Sequence, residues 1–78
     1  MVYKKGGDRL TLGARVEQAR KARGLTQDEL AQKAGYSNRG AICRIEQGTF
    51  VPSVATLIEI AKALGVTLDW LCETEEGE

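Results

Sequence analysis

Seventy-eight residues, 42% of them hydrophobic, make one domain at most, and a chain this short buries only about 60% of its unfolded surface, so modest stability is expected. No apolar run approaches the roughly 18 residues of a membrane span, and the opening MVYKKGGDR lacks the hydrophobic stretch of a secretory signal, which points to the cytoplasm and away from a membrane. The formal net charge is zero, there is no histidine, and two cysteines, Cys43 and Cys72, are too few for a disulfide framework or a zinc site. Without histidine there is no His-based triad or general base. There is also no glycine-rich phosphate loop and no cluster of metal ligands. An enzyme, a metal site and a cofactor are therefore not expected.

Taken in order, residues 1–9 are polar and glycine-containing and read as a flexible arm. A first helix is expected from about Leu10 to Arg23, with Leu12, Val16 and Ala19 inward and Gly24 at its end. Thr26 caps a second helix over about Gln27 to Ala34, and Glu29, three residues on, completes a T-x-x-E capping box. Leu30, Ala31 and Ala34 give this helix an apolar stripe, and Gly35 stops it. A third helix follows over about Asn38 to Gln47, with Ser37 or Asn38 as its cap and Ala41, Ile42 and Ile45 on its apolar side. Gly48 to Pro52 form a loop whose Phe50 is expected to pack on the core. Ser53 caps a fourth helix that runs to Leu64, with Leu57, Ile60, Ala61 and Leu64 inward, and Gly65 stops it. Thr67 caps a short fifth helix holding Leu68, Trp70 and Leu71. The closing ETEEGE, residues 73–78, is an acidic tail expected to be disordered. No strand pattern and no internal repeat is present, so the fold class is all-α: five helices around one core, one domain over residues 10–72.

The second and third helices carry the functional signal. Helix, tight turn, helix between Thr26 and Gly48 is the shape of a helix-turn-helix reader of double-stranded DNA. The outer face of the third helix offers Asn38, Arg39, Gly40, Arg44 and Gln47, side chains and backbone suited to phosphates and base edges. The neutral total hides an asymmetry: residues 1–47 hold ten basic and five acidic side chains, while residues 48–78 hold Lys62 against six acidic ones. Phosphates would meet the positive half first.

The sequence also resembles the phage repressor and Cro-type helix-turn-helix domain, the XRE family. The matching residues are R-x-x-x-G-L-T-Q-x-E-L-A-x-x-x-G from Arg20 to Gly35 and I-x-x-I-E-x-G from Ile42 to Gly48. They continue with Pro52-Ser53, L-x-x-I-A-x-x-L-G-V from Leu57 to Val66, and Asp69-Trp70-Leu71. The resemblance covers about residues 10 to 72 and implies a lambda-repressor-like bundle. In that family one residue fewer separates the turn glycine from the glutamate of the third helix, here Gly35 and Glu46, and the extra residue lies within Tyr36 to Gly40. The resemblance implies that Gln27 anchors the DNA backbone. It places the base readers at the start of the third helix, at Ser37, Asn38, Arg39 and Gly40, with Arg44 one turn on. Gln47 and Thr49 correspond to a phosphate-touching loop, although GTFVPS lacks basic residues. The alternative to the core for Phe50 in that loop is a sugar of the DNA. Arg20 and Glu46 correspond to a partly buried ion pair joining the first helix to the third.

The expected function is a sequence-specific, DNA-binding transcriptional regulator that reads a palindromic operator as a homodimer, since symmetric half-sites ask for a two-fold protein. The expected dimer surface is the apolar group Val66, Leu68, Trp70 and Leu71. The rival reading is a protein-interaction module or an antitoxin that keeps the fold. A protein partner then follows, as it does if the chain is part of a longer regulator.

Overall fold

Four of the five helices among the described residues begin at a side chain that captures a free backbone N–H. A computed structural model describes residues 11–72; the expected arm over residues 1–9, Leu10 and the acidic tail over residues 73–78 lie outside them. Thr11 Oγ1 accepts from the Ala14 N–H at 3.1 Å and opens α1, Leu12–Ala22, two residues later than periodicity alone predicts. Thr26 and Glu29 make the full reciprocal capping box of α2, Gln27–Ala34: Thr26 Oγ1 accepts from the Glu29 N–H at 3.0 Å, and Glu29 Oε1 from the Thr26 N–H at 2.9 Å. Ser53 opens α4, Val54–Leu64, and Thr67 opens the short α5, Leu68–Cys72. The exception is α3, Gly40–Gln47, whose N-cap Arg39 makes no capping hydrogen bond.

Helix ends follow one rule. At Gly35 the backbone turns left-handed (φ 90°) and the next N–H, that of Tyr36, reaches back to the Ala31 carbonyl at 2.9 Å. This closes the helix with the carbonyl pairing that a glycine permits without a Cβ clash.

The five helices leave no strand among the described residues and enclose one core: Val16, Leu30, Ile42, Ile45, Ile60, Leu64 and Leu71 are essentially inaccessible, with Ala19, Ala31, Leu57 and Ala61 beside them. Of the apolar positions expected on the second, third and fourth helices, Leu30, Ala31, Ile42, Ile45, Leu57, Ile60, Ala61 and Leu64 are buried, and Ala34 and Ala41 are half-buried. Packing pairs α1 with α3 and α2 with α4, and α5 closes against α1 and α4. At one point of the α1–α3 contact the two backbones themselves approach. Gly13 sits so close that a Cβ on it would run into the carbonyl oxygens of Ile45 and Glu46. No helix among the described residues is long and apolar enough to cross a membrane.

Two expectations change here. Phe50 is not a core residue: it is 38% exposed, edge-on to Tyr36 with ring centroids 6.5 Å apart. Leu71, expected on an exposed apolar surface, is fully buried, and Val66, Leu68 and Trp70 are half-buried against the core. A five-residue helix has one turn to bury, and the core claims it.

Candidate nucleic-acid interface

The site is built on a polar junction under α3. Arg20 of α1 donates through Nε to Glu46 Oε2 at 2.7 Å and through Nη2 to Oε1 at 3.3 Å. Its Nη1 donates to the Leu25 carbonyl at 2.9 Å. Gln27, in the first turn of α2, donates through Nε2 to the same Glu46 Oε1 at 2.9 Å. One carboxylate therefore gathers donors from α1 and α2 onto the last turn of α3. The Arg20 and Glu46 side chains are 11% and 6% exposed, so the pair is held in a medium where water competes weakly. The expected pair of Arg20 and Glu46 forms, and Gln27 belongs to it.

With Ile42 and Ile45 facing the core, 3.6 residues per turn sends Gly40, Cys43, Arg44 and Gln47 outward, at i, i+3, i+4 and i+7. Arg44 and Gln47 are exposed, Gly40 and Cys43 half-buried. Ser37, Asn38 and Arg39 are exposed but precede the helix, in the stretch from Gly35 to Arg39 that separates α2 from α3. The expected start of the third helix at Asn38 is thus two residues early. The reason is local: Asn38 Oδ1 accepts the Gly40 N–H at 2.8 Å, a side-chain turn that stands in for the missing cap and keeps Asn38 out of the helix. Asn38 therefore shapes the entry to α3, and its amide oxygen is occupied. Thr49 is occupied too: its N–H and its hydroxyl both donate to the Arg44 carbonyl, at 3.0 and 3.3 Å, which closes the C-terminal end of α3 just beyond Gly48.

A helix-turn-helix family model matches residues 16–71, most of the described chain. The chain belongs to the XRE-type helix-turn-helix family. Within this family it is 44% identical over 57 residues to the immunity repressor protein of Bacillus phage phi105, across 73% of this chain and 39% of the repressor, so the chain spans well under half of that relative's length. Its fold is similar to that of the P22 c2 repressor in a crystal structure with a synthetic operator, at a TM-score of 0.76 and 27% identity over 81% of this chain and 94% of that one. It is also similar to SinR of Bacillus subtilis, the master regulator for biofilm formation, in complex with DNA, at 0.71 and 32% identity over 78% and 97% of the two chains.

Within this helix-turn-helix frame the positive half of the sequence thins out. Arg15 and Arg20 are buried, and Arg23 lies against Gly65, where a Cβ would strike its guanidinium. Lys33, Arg39 and Arg44 remain exposed around the α2–α3 unit; Lys4, Lys5 and Arg9 lie outside the described residues. Among the described residues no group of histidine, cysteine and carboxylate side chains is arranged to hold a metal ion. Two packing contributors do not follow from the sequence pattern, Gly13 and Arg15. Gly13 and Arg15 depend on contacts 30 or more residues away, which periodicity does not carry.

Proposed function

We propose that the chain is the sequence-specific DNA-binding domain of a cytoplasmic transcriptional regulator, with α3 as its reading helix. The observation that carries this is the outward stripe of α3. Arg44 and Gln47 are exposed and spend no side-chain hydrogen bond or ion pair inside the described residues, on a helix locked from beneath by Arg20, Gln27 and Glu46. Arginine and glutamine are the side chains that pair bidentately with guanine and adenine in the major groove. The N-terminus of α2 and the Gln27 side chain border this stripe and are suited to a phosphate. Ser37 and Arg39 flank it as further phosphate contacts, whereas Thr49 spends both its donors on the Arg44 carbonyl.

A two-fold dimer on a palindromic operator follows from the limits of one half-site, whose few base pairs are each worth only about 1–3 kcal/mol. The surface for it moves from the fifth helix to the third loop and α4. The large exposed hydrophobics among the described residues are Phe50, Val51 at 70%, Val54 at 64% and Ile58, of which Val54 and Ile58, four residues apart, share one side of α4. Apolar groups in such a row favour a protein contact.

Binding of duplex DNA as a function of salt tests the reading. Log affinity falls steeply with log salt for a protein that releases counterions, and a flat dependence would instead favour a protein-interaction module. Arg44→Ala is expected to cost about 1–3 kcal/mol and relax preference at one base pair, with Gln27→Ala weakening all duplexes alike. Sedimentation of Val54→Glu tests the dimer surface, and a variant that still sediments as a dimer removes it.

A further inference from the structure

A buried cation ordinarily has an anion beside it, and Arg15 has none among the described residues. It is 6% exposed, with its guanidinium carbon 4.8 Å from the centre of the Trp70 ring. Of its N–H groups only one has an acceptor among the described residues, the Trp70 carbonyl at 3.2 Å, and Nε is buried without a partner. Carboxylates on its own helix and on α3 are engaged elsewhere: Glu17 holds Lys21, and Glu46 holds Arg20 and Gln27. Asp69, beside Trp70 on α5, is exposed and makes no ion pair among the described residues. A charge taken out of water without a counter-ion is costly, and a carbonyl and an aromatic face offset only part of that cost.

The element that touches Arg15 is also the one from which an acidic segment departs. Trp70 lies in α5, which ends at Cys72. The chain continues as ETEEGE, residues 73–78, four carboxylates in six residues with no cation among them. Glu73 comes first. Its Cα is at most about 11 Å from that of Trp70, three residues away, and one more residue of helix sets it on the Trp70 side, at i+3. A guanidinium is the natural fork for a carboxylate. The exposed cations Lys33, Arg39 and Arg44 belong to the α2–α3 unit, whereas α5 packs mainly on α1 and α4.

We propose that the acidic segment after α5 docks on Arg15, with the Glu73 carboxylate on the guanidinium, and straps α5 to α1. The strap seats negative charge at the α1–α5 edge and keeps it from the cations of the α2–α3 unit, where it would compete with any other anion. It stands whether or not α3 reads DNA.

Nuclear Overhauser contacts in the wild-type chain test the docking directly. Glu73 side-chain protons are expected to reach the Arg15 guanidinium and the Trp70 ring. Contacts from the segment to Lys33, Arg39 or Arg44 in their place, or no contacts at all, overturn the strap. A double-mutant cycle in urea reads the same pair. Glu73→Gln is expected to raise the unfolding equilibrium constant about 3-fold, the worth of one partly exposed ion pair, with the effect shrinking at about 1 M salt. In an Arg15→Met background, where the carboxylate has already returned to water, Glu73→Gln is expected to raise it no further. The sign discriminates. A carboxylate just past a helix C-terminus with no partner opposes the helix dipole, so neutralising it would stabilise the chain. Glu73→Gln that stabilises, or that destabilises equally without Arg15, overturns the proposal. The wild-type contacts decide the matter if Arg15→Met folds poorly.

Discussion

Two arginines of α1, five residues apart, are both buried, and they are held in opposite ways. Arg20, 9% exposed, meets Glu46 through two guanidinium nitrogens and the Leu25 carbonyl through a third. Arg15, 6% exposed, has no carboxylate among the described residues. Its Nη1 donates to the Trp70 carbonyl at 3.2 Å, its guanidinium carbon lies 4.8 Å above the centre of the Trp70 ring, and its Nε is buried without a partner. At the α1–α3 junction the charge is cancelled. At the α1–α5 junction it is spread over a carbonyl dipole and an aromatic face, which attracts a cation but does not neutralise it. A fork locked on a carboxylate allows one geometry. A cation over a ring tolerates sliding and substitution. Helix α3 is held by the first kind of contact and α5 by the second.

The sharpest way to break this comparison is at Glu46. Glu46→Ala removes the acceptor of Arg20 and Gln27 together and leaves a buried guanidinium uncompensated, an expected loss of about 3 kcal/mol in chemical denaturation. Gly13→Ala strains the same junction from the other side by forcing the α1 and α3 backbones apart, and overpacking of this kind costs about 1–3 kcal/mol; a variant as stable as the wild type would show that the two backbones separate freely. Arg15→Met keeps most of the apolar stem and strips the charge. No carboxylate is stranded, so its stability should lie within about 1 kcal/mol of wild type. Trp70, the one tryptophan, loses its cation, and its emission is expected to change. A loss for Arg15→Met as large as that for Glu46→Ala would erase the distinction between the junctions.

The smallest effect belongs to an exposed pair on the same helix. Lys21 donates to Glu17 at 3.0 Å, and this hydrogen bond, with the charge of Lys21, holds the Glu17 carboxyl below its ordinary range. A lowered folded-state value means that the pair stabilises above the unfolded pKa and ceases to as pH falls through the folded one. Both side chains are largely in water, so Glu17→Gln should cost under about 0.5 kcal/mol at neutral pH. That difference should vanish in acid.

Most of the local chemistry was legible. Capping oxygens at Thr26 and Ser53, stop glycines at Gly35 and Gly65, and most of the apolar period from Leu30 to Leu64 each act within a few residues, and the structure has them where the sequence puts them. The Arg20–Glu46 pair was legible only through the resemblance to the family, since nothing in either residue's neighbourhood names the other. What stayed hidden had two causes. Adjacent cap-type residues at Ser37 and Asn38 compete for the start of α3, and the winner is a turn within the chain that leaves both outside the helix. Period tells which residues share a face but not what covers that face. Leu71 therefore went to the core while Val51 and Val54 were left in solvent, and Arg15, counted as surface charge, lies under a tryptophan.

Glu46 has a kinetic consequence as well. By gathering Arg20 and Gln27 it sets the tilt of α3 against α1 and α2 before anything docks. If α3 is the reading element proposed above, a helix held in one pose surrenders little conformational freedom on association, so its on-rate is governed by encounter and orientation and not by a rearrangement step. Loosening that carboxylate should slow arrival at the operator before it shortens residence there.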